Sequence, residues 1–196
     1  MKRFFSLLAF FSVFAILAGC AHPINMRPDI GIISSLGAPK IDKAVGYHIS
    51  DTNLSAEITT PGGGGDKVRY FPYRDMEAGF YKALAEVFTK VTKISNPKDL
   101  EGLKKAGITL MITPEIMTTS SSPSLLTWPP TEFTVTLNCK VVGTDGLAIT
   151  EVKAVGVGKA EFSEFKGNFS LSAVRASEEA VKNLMKALSD DPNLRR

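Results

Sequence analysis

The chain has 196 residues, of which 44% are apolar, a formal net charge of +3 and two cysteines. This length fits a single domain, and the composition excludes an intrinsically disordered chain, a collagen-like chain and a disulfide-stapled miniprotein. The small net charge gives no support for nucleic-acid binding, and two cysteines cannot form a disulfide framework. We therefore expect one globular domain with no nucleic-acid partner.

The beginning of the chain has the layout of an export signal. Lys2 and Arg3 are followed by an apolar stretch, residues 4–19, which is interrupted by two serines. A basic start followed by an apolar segment is typical of secretory signal peptides, and this stretch is shorter than the roughly 20 residues of a membrane-spanning helix. We therefore predict a signal peptide over residues 1–19.

The last residues of this segment, Leu17-Ala18-Gly19-Cys20, resemble the lipobox of bacterial lipoproteins. The resemblance implies that signal peptidase recognises Leu17, Ala18 and Gly19 and cuts the chain before Cys20. It also implies that the Cys20 thiol carries a diacylglycerol and that the new amine is acylated. An ordinary signal peptide, or a buried helix that ends in cysteine, is the alternative. Because two or more acyl chains hold a protein firmly, the lipobox predicts a stable membrane anchor.

The lipobox also implies a location in the cell envelope. Ala21 stands where an aspartate would resemble an inner-membrane retention signal. We therefore expect a lipid-anchored protein at the periplasmic face of the outer membrane.

The first part of the exported chain is predicted to contain a tether, a strand and a hairpin. Residues 20–29 have two prolines and no periodicity, which indicates a tether after the lipid site. The single domain is then predicted over residues 30–192, with a tail over residues 193–196. The apolar run at residues 30–34 predicts a buried strand. Alternation over residues 45–58, with turn-forming residues in its middle, predicts a β-hairpin.

A glycine-rich segment follows the predicted hairpin. Residues 61–65 read Pro-Gly-Gly-Gly-Gly, with Lys67 close by. A phosphate-binding loop needs Gly, four residues and then Gly-Lys followed by Ser or Thr, but here Asp66 precedes Lys67 and Val68 follows it. We interpret the segment as a mobile surface loop.

Apolar periodicity predicts the remaining elements, because steps of three and four residues indicate helices and alternation indicates strands. Gly156 and Gly158 interrupt the last strand and indicate a bulge or the close packing of a helix. The order predicts an α+β fold, with an antiparallel or mixed sheet of four or more strands and two main helices packed on one face. The predicted elements are a helix over residues 75–92, a short helix over 96–107, strands over 108–118, 131–142 and 147–162, and a helix over 172–188.

This order of elements, together with the lipobox, resembles that of small periplasmic lipoproteins of the LptE and YajG type and of the N-terminal domain of TolB. The resemblance implies a sheet covered by two helices. It carries no functional residue to this chain apart from Cys20.

Few residues of the chain could carry catalysis. His22 and His48 are the two histidines, and the sequence has no zinc-protease, EF-hand or serine-hydrolase motif. Cys139 could be a nucleophile in principle, but it shares a strand face with apolar residues, which favours a buried and inert thiol. We therefore expect no enzymatic activity, no cofactor and no metal site.

One connection between two predicted strands is a candidate contact site. It is rich in serine, threonine and proline and carries Leu125, Leu126 and Trp128. Apolar side chains at a loop tip often mark a partner or a membrane surface, and the alternative is that they fold back onto the core. We predict that these three residues contact an envelope protein.

Two functions remain open from the sequence. The first is a non-catalytic interaction or assembly module of the cell envelope, anchored to the membrane by its lipid. The alternative is a periplasmic carrier of a small lipid or glycan, which requires an apolar cavity between the helices and the sheet.

Overall fold

The computed structural model describes residues 21–165 and 167–196. Two short 3-10 turns, Phe162–Glu164 and Pro192–Leu194, precede and follow the last helix. The predicted signal peptide, the recognition residues Leu17, Ala18 and Gly19, and the lipidation site Cys20 lie outside the described residues. The helices and strands are β1 (Ala21–Pro23), β2 (Ile41–Tyr47), α1 (Asp51–Ser55), β3 (Ile58–Pro61), β4 (Lys67–Tyr70), α2 (Pro72–Val87), β5 (Phe88–Lys93), α3 (Leu100–Lys105), β6 (Leu110–Ser121), β7 (Glu132–Gly143), β8 (Ala148–Lys159) and α4 (Leu171–Asp190).

The strands form two sheets. The central sheet has the order β5-β2-β6-β7-β8, in which β2 pairs in parallel with β5 and β6, and β6, β7 and β8 form an antiparallel meander. The smaller sheet has the order β1-β4-β3, with β1 parallel and β3 antiparallel to β4. The main hydrophobic core is built by α2, α4 and the central sheet. The predicted α+β class with a mixed sheet and two main helices is therefore confirmed.

Helix α2 is shorter than predicted. It begins with Pro72, whose fixed φ and missing N–H suit the first turn of a helix. It ends at Val87, and strand β5 follows at once. The prediction of helix up to residue 92 was wrong because Thr89, Val91 and Thr92 are β-branched residues, which favour the strand that pairs with β2.

Helix α4 packs directly on strand β8. A Cβ atom added to Gly158 would lie 1.9 Å from the carbonyl oxygen of Ser172, and one added to Gly156 would lie 2.1 Å from that of Ala176. Any larger residue would push the helix away from the sheet. The two glycines therefore serve the close packing of a helix, which was one of the two predicted explanations.

The outer edge of β8 is also covered by side chains of α4. Arg175 donates to the carbonyl of Lys159 (2.7 Å), and Asn183 donates to the carbonyl of Val155 (2.7 Å). Between them, the Glu179 carboxylate accepts from the amide of Val157 at 2.7 Å. These side chains are four residues apart on the helix and satisfy backbone groups that an edge strand would otherwise leave unpaired.

Two predicted elements in the first third of the chain are wrong. Residues 45–58 do not form a hairpin, because the polar residues in their middle start helix α1 instead of a turn. The Ser50 hydroxyl accepts from the amide of Asn53 (3.1 Å), which caps that helix. Residues 30–34 do not form a strand: residues 30–32 form a turn and a bend, where the carboxylate of Asp29 accepts from the amide of Gly31 at 2.9 Å.

The described part of the predicted tether, residues 21–29, is built into the domain. Ala21–Pro23 is a strand, and Ile24 and Met26 are buried. The buried carboxylate of Asp75 accepts from the amide of Met26 (3.2 Å). This part of the tether prediction is corrected, since Ile24 and Met26 alternate with exposed polar residues as in a half-buried extended segment.

The predicted tail at residues 193–196 also packs on the domain. Leu194 is fully buried, and the Arg195 guanidinium donates to the carbonyl of Ser189 at 2.9 Å. The burial of a leucine side chain offsets the entropy lost when these last residues are ordered. The domain therefore extends through the final residues of the chain.

Candidate functional site

The predicted contact residues lie in the loop between β6 and β7. We call residues 122–131 the contact loop and its two adjacent leucines the Leu125–Leu126 tip. Leu125 is 88% exposed and Leu126 is 94% exposed, whereas Trp128 is half-buried and packs against the main core. The structure therefore separates the three predicted residues into an exposed pair and a supporting aromatic ring.

Two side chains that are distant in sequence hold the Trp128 ring. The His22 ring stacks on it, with ring centroids 4.2 Å apart and planes 19° apart. Phe169 packs at 5.0 Å with its ring tilted by 49°. Aromatic contacts of this kind add to the stability that burial alone supplies. Trp128 therefore fixes the base of the contact loop, and it ties that loop to β1 and to the residues before α4.

The glycine-rich segment is the other support of the contact loop. The Gly63 amide donates to the Trp128 carbonyl, and the Gly64 amide donates to the Ser124 carbonyl, both at 2.8 Å. A Cβ atom on Gly63 would lie 2.0 Å from the Thr127 carbonyl oxygen. The interpretation of residues 61–65 as a free surface loop is corrected: these glycines allow two backbone segments to approach closely.

Strand β1 enters the domain beside this glycine segment. Ala21 pairs with Lys67 at the start of β4, and His22 pairs with Val68. The imidazole Nε2 of His22 lies 3.3 Å from a carboxylate oxygen of Asp66, which follows the glycines. The start of β1, the glycine segment and the contact loop therefore meet at one end of the molecule.

The sequence predicts a loop that carries Leu125, Leu126 and Trp128 between two strands, but it does not predict the supports of that loop. The stacking of His22 on Trp128 joins residues that are far apart in the chain, so no local pattern indicates it. The glycines were visible, but glycine runs are common in unpaired loops as well. The alternation of apolar and polar residues after Pro23 was the available signal that β1 continues into a packed segment.

The residues considered for catalysis have structural contacts. Cys139 is completely buried, and this burial raises the pKa of its thiol to about 12. At neutral pH the thiol is therefore protonated, and the thiolate is the nucleophilic form. The His48 Nδ1 atom lies 2.8 Å from the Ile94 carbonyl oxygen. Within the described residues, no group of three or more His, Cys, Asp and Glu side chains is placed to hold a metal ion.

An open surface cleft lies beside the packed N-terminal segment. The hydroxyl of Tyr47 is hydrogen-bonded to the Glu77 carboxylate (3.3 Å). Burial and the adjacent negative charge of Glu77 raise the pKa of this tyrosine to about 12. The cleft presents both acidic and basic groups. Its lining residues are Arg27, Tyr47, Arg74, Asp75, Glu77, Ala78 and Tyr81.

No family model matches the chain, and no curated protein matches it. Among solved structures, it is similar to a DUF330 protein of Xanthomonas campestris, with 12% identity over 86% of this chain and 90% of that chain (TM-score 0.48). It is also similar to the PelC dodecamer of Paraburkholderia phytofirmans, with 12% identity over 83% and 94% of the two chains (TM-score 0.45).

A candidate lipoprotein of Caulobacter crescentus CB15 is similar at 9% identity, over 74% of this chain and 87% of that chain (TM-score 0.37). Similarities at these identities and TM-scores do not establish a function. Within residues 21–165 and 167–196, no helix is both long enough and apolar enough to span a bilayer.

Proposed function

We propose that the protein is a lipid-anchored, non-catalytic lipoprotein of the outer membrane that contacts another component of the cell envelope through the Leu125–Leu126 tip. The lipobox, which ends at Cys20, supports the anchor. The observation that carries the proposal is the position of the chain's entry into the domain. Ala21, the residue after Cys20, lies in strand β1. The start of this strand meets the glycine segment and the contact loop, which carries the exposed leucines, at one end of the molecule.

The short connection between anchor and domain determines which end would face the membrane. The proposed lipid on Cys20 is attached one residue before strand β1. Because successive Cα atoms are only about 3.8 Å apart, the anchor and the strand are close together. Because Ala21 is paired with Lys67, the domain has no long tether on which to turn freely. The anchor would keep the contact loop close to the membrane surface.

The contacts of the histidines and Cys139 support a non-catalytic role. His22 serves as a stacking partner of Trp128, and His48 is bonded to a backbone carbonyl. Cys139 lies on the buried apolar face of strand β7. Each of these side chains thus has a contact that accounts for its position without a reaction.

The packing of helix α4 favours the contact function over the carrier alternative. A carrier requires a cavity between the helices and the sheet. At Gly156 and Gly158 the helix backbone approaches β8 so closely that even a methyl group would not fit. This part of the layer between helix and sheet has no room for a lipid or glycan.

The anchor is tested by expressing the full chain in a bacterium that processes lipoproteins and is grown with labelled palmitate. We expect the wild-type chain to incorporate the label and to sediment with the outer membrane on a density gradient. Cys20→Ser should incorporate none. Cys139→Ala is the matched control and should be labelled like the wild type, because its thiol is buried. Equal labelling of Cys20→Ser, or an unlabelled wild type, would contradict the proposal.

A further inference from the structure

We infer that the Leu125–Leu126 tip inserts into the surface of the bilayer that anchors the chain, so that the envelope component it contacts is the lipid membrane itself. The inference rests on the proposed lipidation of Cys20. It replaces the expected protein partner of the loop with a lipid surface.

The first support is the short path from the anchor to the tip. Ala21 is paired with Lys67, which is separated from the glycine segment by Asp66 alone. Within that segment, the Gly64 amide donates to the carbonyl of Ser124 at 2.8 Å. Ser124 immediately precedes Leu125. The path from the residue after Cys20 to the exposed leucines thus crosses one strand pair and one hydrogen bond.

The second support is the fixed position of the contact loop. Its base is held by the hydrogen bond from Gly63 to the Trp128 carbonyl and by the contacts of the Trp128 ring with the His22 and Phe169 rings. The two leucines are therefore presented from a supported base. A tip of this kind loses little conformational entropy when it enters the membrane surface.

The third support is the chemistry of the segment. The leucines at the tip are almost fully exposed, and the chain carries no charged side chain between Glu115 and Glu132. Insertion of this segment would therefore bring apolar and hydroxyl side chains to the membrane without the large cost of moving a charge out of water. Phe169, which is 52% exposed, lies next to Trp128, and aromatic side chains are enriched at membrane interfaces.

The opposite end of the sheet supplies a matched control. Strand β7 begins after the contact loop and ends at Gly143, before the turn that leads to β8. Twelve residues of strand extend over roughly 35–40 Å. Leu147 lies after that turn and is 66% exposed, beside the charged Asp145. It is an exposed leucine that should remain in water if the contact loop faces the bilayer.

The test places a fluorescent probe at each end of the acylated full chain. Leu126→Cys and Leu147→Cys are each labelled with an environment-sensitive NBD dye, since Cys139 is buried and Cys20 carries lipid in the proposal. The proteins are reconstituted into vesicles of phosphatidylethanolamine and phosphatidylglycerol, with or without brominated acyl chains. We expect the probe at residue 126 to shift to shorter wavelength and to be quenched several-fold more strongly than the probe at residue 147.

Three results would contradict the inference, and they differ in whether they also reject the proposed function. Equal quenching at both positions in a chain whose intact mass shows the lipid would reject membrane insertion and leave the proposed function unaffected. A chain without lipid on Cys20 would reject both. A crosslink from residue 126 to a protein in intact cells, without quenching by lipid, would identify a protein as the partner of the loop.

Discussion

Two pairs of glycines bring backbone segments closer together than any other residue would allow, and they do so in different parts of the molecule. Gly156 and Gly158 let helix α4 rest on strand β8 within the core. Gly62 and Gly63 let the glycine segment rest on the contact loop at the surface, where a Cβ on Gly62 would lie 2.4 Å from the Trp128 carbonyl oxygen. Neither pair leaves room for a methyl group, but the first pair supports the packing of a helix on a sheet and the second supports the packing of two loops.

The difference lies in what surrounds each pair. The core pair joins two regular elements whose apolar periodicity continues on both sides, so a steric change there is opposed by a large buried area. The surface pair joins two loops through a few backbone hydrogen bonds and one aromatic stack. We therefore expect changes in the core pair to affect the whole fold and changes in the surface pair to remain local.

The largest effect is expected from Gly158→Val. Its Cβ would lie 1.9 Å from the Ser172 carbonyl oxygen, so either the helix or the strand must move. We expect the free energy of unfolding to fall by about 3 kcal/mol or the chain not to fold, measured by urea denaturation. Gly167→Ala is the control and should be neutral, because its added Cβ would meet no atom within 4 Å apart from those of Gly167 and its two chain neighbours. Unchanged stability of Gly158→Val would refute the close packing of α4 on β8.

A smaller but still global loss is expected from Asp75→Ala. The substitution leaves the amide of Met26 buried without its acceptor. The free energy of unfolding should fall by about 1–3 kcal/mol. Asp75→Asn keeps an acceptor oxygen and should lose less. If both variants were as stable as the wild type, residues 24–28 would not belong to the domain.

Gly63→Ala tests the surface pair. The methyl group would displace the Thr127 carbonyl, 2.0 Å away, and break the hydrogen bond to Trp128. We expect a loss of about 1 kcal/mol in the free energy of unfolding and a red shift of the fluorescence of Trp128, the one tryptophan of the chain. Loss of cooperative unfolding would instead show that the surface pair supports the whole fold.

Alkaline pH should weaken the core through Cys139. Burial raises the pKa of this thiol from 9.0 to about 12, so above pH 9 the unfolded chain releases the proton more readily than the folded chain. Stability is therefore retained below pH 9 and falls as the pH rises toward 12, by about 1 kcal/mol at pH 10. Urea titrations under reducing conditions measure this slope. Cys139→Ala should show a smaller slope, and an equal slope would assign the effect to other groups.

The smallest effect on stability is expected from the double change Leu125→Ser and Leu126→Ser. Both side chains are almost fully exposed, so the free energy of unfolding should stay within about 0.5 kcal/mol of the wild-type value. Thermal and urea unfolding measure this. A clear loss of stability would show that the tip packs on the domain and is not free to bind a membrane.

The long antiparallel strands and helix α4 were predictable because their apolar periodicity extends over most of their length. The packed segment after Pro23 was missed because its prolines resemble a linker, although Ile24 and Met26 alternate with polar residues. The residues around Ser50 predict a turn but form a helix cap, because the same polar side chains favour both structures. The packed segment after Pro23 depends on contacts with distant residues such as Asp75, whereas the two possible structures at Ser50 differ in local hydrogen bonds.

The candidate site was predictable to a similar extent. The sequence groups Leu125, Leu126 and Trp128 as one contact site and leaves open whether they fold back onto the core. The structure exposes the two leucines and packs Trp128 against the core. The role of Trp128 was not predictable, because its neighbours His22 and Phe169 come from the two ends of the domain sequence. Stacking between such distant residues leaves no periodic signal.

Intact mass spectrometry of the chain purified from bacterial membranes is the decisive test of the lipid anchor at Cys20. We predict a chain that begins at Cys20 and carries the added mass of a diacylglycerol and one further acyl group. A chain that still begins at Met1, or one that begins at Cys20 without added lipid, would show that the protein is not anchored by a lipid on Cys20.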